Sequence, residues 1–113
     1  MATLTVPETQ QQASEADHEL EREFRQLTDQ WYEETRFLSS TSEIVSKETY
    51  YQIVALGRRA IPLILRELQE RGGHWFLALR ALTKDDPVNP QDRGNMKRMT
   101  QAWLDWGRTH NQI

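Results

Sequence analysis

Residues 50–82, YYQIVALGRRAIPLILRELQERGGHWFLALRAL, constrain the fold more than any other part of this chain. Ile61, Ile64, Leu65 and Leu68 fall at i, i+3, i+4 and i+7, the repeat of one helix face. Trp75, Ala78, Leu79 and Leu82 repeat that spacing immediately after Arg71-Gly72-Gly73-His74. Two apolar stripes separated by so short a turn predict an antiparallel pair of helices packed face to face. The punctuation agrees with the pattern. Pro62 stands just inside the first stripe, where a missing N–H costs nothing and the fixed φ suits a helix. Gly57 and Gly72 stand where the preceding helices must end, each able to take a left-handed conformation.

The same residues carry a family resemblance. Leu56-Gly57, Ala60-Ile61-Pro62, Ile64, Leu65 and Leu68, then a turn, then Ala78-Leu79 and Ala81-Leu82 resemble a single HEAT-type helical repeat over residues 56–82. The resemblance implies a helix pair of the kind that serves as a scaffold for protein partners. This chain departs from the pattern in having no Asp in the turn and in opening its second helix with Trp75 and Phe76. No second copy recurs at a fixed period, so the pair is expected alone at the centre of a bundle rather than in an array.

On either side of this pair the chain reads as more helix. Ala16, Leu20, Phe24, Leu27 and Trp31 step by fours and threes, with Leu38 further on, which predicts a helix over residues 14–38 with Ser14 as its cap. The stripe is too short for a coiled coil and suits a helix laid across a small bundle. Residues 1–13 hold Pro7, three consecutive glutamines and no apolar period, and are expected to form a disordered tail. Glu43-Ile44-Val45 reads as one helical turn. Ser46 is the expected cap of a helix over residues 47–56 whose inner face carries Tyr50, Ile53 and Val54. Two prolines and a glycine exclude a regular helix from residues 83–94. Met96, Met99, Trp103 and Trp106 then mark a last helix ending near Gly107, with a frayed end beyond it. The fold class is therefore all-α, a compact bundle of about five helices, organised as one domain over residues 14–110.

Several chemistries lack their residues. There is no cysteine, which removes disulfides, thiol nucleophiles and thiolate metal sites. Asp85, Asp86, Asn89, Asp92 and Asn95 concentrate oxygen ligands in one loop, but prolines interrupt it and no bidentate Glu closes a calcium loop. His18, His74 and His110 belong to no metal-helix spacing, and neither a nucleophile elbow nor a phosphate-binding glycine loop occurs. Glu67 and Glu70 lie off the Ile61–Leu68 stripe and are expected in solvent, where no carboxylate pKa is shifted toward catalysis. No enzyme, cofactor or metal site is expected. No apolar run reaches the length of a membrane span and the N-terminus lacks a signal-peptide pattern, so a cytoplasmic location is the expectation.

What remains is binding. The net charge of −3 conceals an asymmetry. Residues 1–36 hold nine acidic and three basic side chains, and the remainder holds eight acidic and eleven basic ones. The acidic helix either lies against the basic remainder or faces a partner. Trp31, Trp75 and Trp103 sit on apolar stripes and are expected in the core. Phe76 and Leu77 lie off the Trp75–Leu82 face and, with Trp106, are the candidate contacts for a protein partner or for a second copy of the chain. The expected function is a small non-catalytic interaction module: an adaptor, inhibitor or antitoxin-like partner of a larger protein. The alternative is a nucleic-acid-associated accessory protein that contacts phosphates through Arg58, Arg59, Arg66 and Arg71.

Overall fold

The structure is a computed structural model that describes the backbone of residues 8–113 and the side chains of residues 15–113. Among the described residues it is all-α. Six helices, α1 (Glu8–Thr35), α2 (Thr41–Val45), α3 (Glu48–Ala55), α4 (Ile61–Arg71), α5 (Phe76–Thr83) and α6 (Met96–Thr109), are joined by turns and two short 3-10 segments. Residues 1–7 of the expected tail lie outside the described residues. The first helix starts ahead of Ser14, so residues 8–13 already belong to α1, and it ends at Thr35 rather than residue 38.

Helix α1 packs most closely along α3, and α4 along α6, while α5 touches both α3 and α4. The stripe residues behave as their period requires. Phe24 and Trp31 of α1, Tyr50 and Ile53 of α3, and Ile61, Ile64, Leu65 and Leu68 of α4 are all buried in one cluster. Two threonines share the inner face of α1, and both satisfy their hydroxyls on the helix itself. Thr28 Oγ1 donates to the Arg25 carbonyl at 3.0 Å and Thr35 Oγ1 to the Trp31 carbonyl at 2.7 Å.

The start of α4 follows the proline logic: Pro62 occupies its first turn, after the 3-10 segment Arg58–Ala60. Gly57 and Gly72 have φ of 86° and 72°, and the Gly72 N–H closes α4 on the Leu68 carbonyl at 3.0 Å. The start of α3 differs from expectation. Lys47, not Ser46, is its cap residue, and the Ser46 hydroxyl instead donates to the Glu43 carbonyl at the end of α2.

Helix α5 has no cap of its own, because Trp75 precedes it with no side-chain bond to its backbone. The Tyr50 hydroxyl supplies one from α3. It accepts the Ala78 N–H at 3.0 Å and donates to the His74 carbonyl at 2.8 Å. One phenol thereby pairs two backbone groups at a helix start that would otherwise be orphaned.

The C-terminal segment also departs from the frayed end expected of it. Gly107 lies inside α6 and ends nothing. Its missing side chain admits α4 instead: a Cβ there would stand 2.8 Å from Leu65 Cδ1 and 3.1 Å from Ile113 Cγ1. Asn111, at φ 56°, reverses the chain so that Gln112 N–H bonds the Gly107 carbonyl at 2.8 Å. His110 stacks on Trp106 with ring centres 4.2 Å apart.

Two measurements test this packing. Tyr50→Phe keeps the ring and removes the bridge, so urea unfolding is expected to show a loss of about 1–3 kcal/mol with an unchanged far-ultraviolet helix signal. Gly107→Ala sets a Cβ against the fully buried Leu65, and that overpacking, less the ~1 kcal/mol Ala gains over Gly in a helix, is expected to leave a net loss of up to about 2 kcal/mol in the same assay. An unchanged midpoint for Tyr50→Phe contradicts the bridge, and a raised midpoint for Gly107→Ala contradicts the close approach of α4 to α6.

Candidate functional site

The sequence-predicted partner contacts divide once they are placed. Phe76 is only 9 % exposed and packs in the central cluster, and Trp106 is 8 % exposed. Trp106 faces inward because its indole N–H donates to Asp85 Oδ2 at 2.8 Å while Trp103 packs edge-on 5.5 Å away. That bond and the adjacent Asp86 N–H hold the Asp85 carboxyl below the usual carboxylate range. Phe76 and Trp106 are thus core residues. Leu77 alone of the three is open to solvent, at 41 %.

The four arginines of the phosphate reading are engaged. Arg58 donates to the Leu82 carbonyl at 3.0 Å. Arg59 pairs with Asp17 at 3.2 Å, Arg66 with Glu21 at 3.7 Å, and Arg71 with Asp29 at 3.5 Å. The acidic first helix therefore lies against the basic segment that follows Gly57. All six of these side chains are well exposed, so each pair contributes ~0–1 kcal/mol. Their consequence is local neutrality more than stability.

The same seam holds a recess. Helices α1 and α4 are bridged by long side chains rather than by close backbones, and the gap forms a groove of about 500 Å³. Phe24 and Leu63 supply its apolar surface, and His18, Glu21, Arg25 and Arg66 its polar surface. Glu67 also lines it, and here the structure corrects the sequence reading. Glu67 is buried, at 2 % exposure, whereas Glu70 is exposed as expected. Its Oε1 accepts the Tyr32 hydroxyl at 3.3 Å and lies 2.6 Å from Arg71 Nε. The Arg71 guanidinium in turn sits 4.9 Å over the Tyr32 ring. A carboxylate can be withdrawn from water here because a cation and a hydroxyl replace the solvent.

Sequence periodicity placed Glu67 outside because it considered one stripe of α4, whereas that helix is covered by α6 on one side and by the side chains of α1 on another. The Glu67–Arg71 spacing of i, i+4 was the legible signal for the pair. A second groove, of about 480 Å³, runs along the other side of α1 between Leu27, Gln30, Gln52 and Leu56. Among the described residues no group of three His, Asp or Glu side chains converges on a metal position, and no helix is long and apolar enough to cross a membrane.

Comparison with known proteins finds no matching family model, no matching characterised protein and no matching solved structure. The HEAT likeness of residues 56–82 thus rests on those residues alone.

Tyr32 reports on this site. Burial, followed by the neighbouring Glu67 carboxylate, pushes its phenol from the ordinary 10.0 up to about 12. A pKa raised on folding stabilises the native state fully below the unfolded value, and that contribution is lost as pH rises through the folded one. Stability is therefore expected to fall from about pH 10 to about pH 12, and Tyr32→Phe to flatten that decline. Urea midpoints measured across this range would check it, and an equally steep decline in the variant would contradict it.

Proposed function

We propose that this chain is a small non-catalytic protein–protein interaction module, an adaptor, inhibitor or antitoxin-like partner, and that it receives a segment of its partner in the α1/α4 groove. The observation that carries the reading is the groove itself. It combines an apolar base at Phe24 and Leu63 with polar groups of both signs, and its about 500 Å³ suits one or two inserted side chains. Such a mixture of apolar centre and polar rim is the usual composition of a protein interface. Burial of Phe76 and Trp106 weighs against those two as contacts and supports a reading centred on this seam. Glu21, Glu67 and Glu70 face Arg22, Arg25 and Arg66 around it, so the groove offers a partner balanced polar contacts of both signs.

The alternative reading, a nucleic-acid-associated protein using Arg58, Arg59, Arg66 and Arg71, requires phosphates to displace the Asp17, Glu21 and Asp29 carboxylates from their guanidinium partners. Those pairs are exposed and weak, so displacement is physically accessible. It would carry a marked salt dependence.

Affinity capture from native lysate with nuclease present separates the readings, comparing wild type with Leu63→Glu. Leu63 is half-buried at the groove, so the variant places a charge at its apolar base. A partner retained by the wild type and lost by at least about tenfold in the variant is the expected result. Equal retention by both would sink the groove assignment. A catch that vanishes with nuclease, and that Arg58→Ala with Arg59→Ala weakens, would instead select the phosphate reading.

A further inference from the structure

The outer face of α5 belongs neither to the core nor to the α1/α4 groove. Phe76, Ala78 and Leu79 of this helix are buried, whereas Leu77, Arg80 and Ala81, at i, i+3 and i+4, are exposed. Lys84 continues that stripe at i+7, where its own N–H closes the helix on the Arg80 carbonyl at 2.8 Å. Arg58 reaches the same end of α5 and donates to the Leu82 carbonyl at 3.0 Å.

The charges at this end are not balanced. Arg58, Arg80 and Lys84 are exposed, and none lies within ion-pair distance of a carboxylate among the described residues. The carbonyl that Arg58 meets satisfies a hydrogen bond but cancels no charge. Two carboxylates follow directly in the chain, and both are committed elsewhere. Asp85 accepts the Trp106 indole N–H at 2.8 Å, and Asp86 pairs with Arg93 at 2.9 Å. The nearby Arg59, Arg66 and Arg71 differ, because each has its own carboxylate from α1. Three cations call for an anionic occupant, and exposed Leu77 beside Ala81 calls for an apolar one. The stripe is convex and runs along ~12 Å of helix, at 1.5 Å per residue, which suits a second helix laid against it. It holds no aromatic ring on which a base could stack, which disfavours single-stranded nucleic acid.

We propose that the outer face of α5 docks an acidic amphipathic helix of a partner protein. An apolar side chain of that helix rests on Leu77 and Ala81, and its carboxylates meet Arg58, Arg80 and Lys84. The site does not rest on the α1/α4 groove reading. The probe is a synthetic helical peptide of leucine and glutamate with its leucines on one stripe, titrated into ¹⁵N-labelled full chain and followed by backbone amide signals. Saturable shifts centred on Leu77, Ala81 and Lys84 are expected, with an affinity that falls as salt rises. Arg80→Glu with Lys84→Glu, both at exposed side chains, is expected to weaken binding by at least about tenfold, and Leu77→Ser to weaken it several-fold. Leu63→Glu, in the groove, is expected to leave it unchanged, so failure of this proposal and failure of the groove reading are told apart. No saturable shift on α5, shifts centred on the groove, or equal binding by the charge-reversed variant overturns the proposal. A control peptide with lysine in place of glutamate that binds as well also overturns it. So does an oligothymidylate that binds this face more tightly than the peptide and is indifferent to Leu77→Ser, because phosphate is then the ligand.

Discussion

Trp75 is the ring on which three helical segments close. Its centre lies 4.7 Å from that of Trp31 and 6.4 Å from that of Phe24, both on α1, and 5.8 Å from Tyr50 on α3, to which it is nearly parallel. Its own N–H returns to the Gly72 carbonyl at the end of α4. Aromatic pairs of this kind contribute about 0.5–1.5 kcal/mol each beyond the area they bury. The ring reaches this position through Gly73, which has φ of 107° and would place a Cβ only 3.2 Å from Trp75 Nε1. The glycine pair therefore ends a helix and also delivers the indole into the centre of the aromatic group. Tyr50 then fixes the entry to α5 through its hydroxyl, so the cap of one helix depends on the packing of another.

The seam between α1 and α4 follows from the same arrangement. With α1 held along α3 and by Trp75, its acidic side faces the arginines after Gly57. Asp17, Glu21 and Asp29 reach Arg59, Arg66 and Arg71 across a gap that backbone packing does not fill. Long, opposite charges bridge such a gap at little conformational strain and leave space beneath them. That space is the groove, and Glu67, buried and held by Tyr32 and Arg71, forms part of its wall. Function and fold meet at this point: the feature that neutralises the arginines also creates the recess in which a partner is proposed to sit.

Much of this was legible beforehand, and for identifiable reasons. A 3.6-residue period reports which face of a helix is inside, so Ile61, Ile64, Leu65, Leu68, Trp31, Trp75 and Trp103 were placed correctly. Pro62, Gly57 and Gly72 act through their own backbone chemistry and needed no tertiary partner to be read. Residues lying beside a stripe fared worse. Phe76 and Glu67 each sit one position from a stripe residue, and each is buried because its helix is covered on more than one side. Trp106 was on its stripe, yet its inward direction depended on an acceptor, Asp85, in a distant loop.

By itself, the amino-acid sequence determined an all-α chain, the number and approximate limits of its helices after residue 40, the aromatic and aliphatic core, and the absence of thiol chemistry. These are local or periodic properties, set by backbone preference and by which side of a helix is apolar. Only the tertiary structure decided that the acidic helix turns toward the arginines, that Glu67 is buried, that Tyr50 caps α5 and that Gly107 admits α4. Each of these depends on which distant residue arrives opposite, and a one-dimensional pattern records the face a side chain occupies without recording the group that meets it.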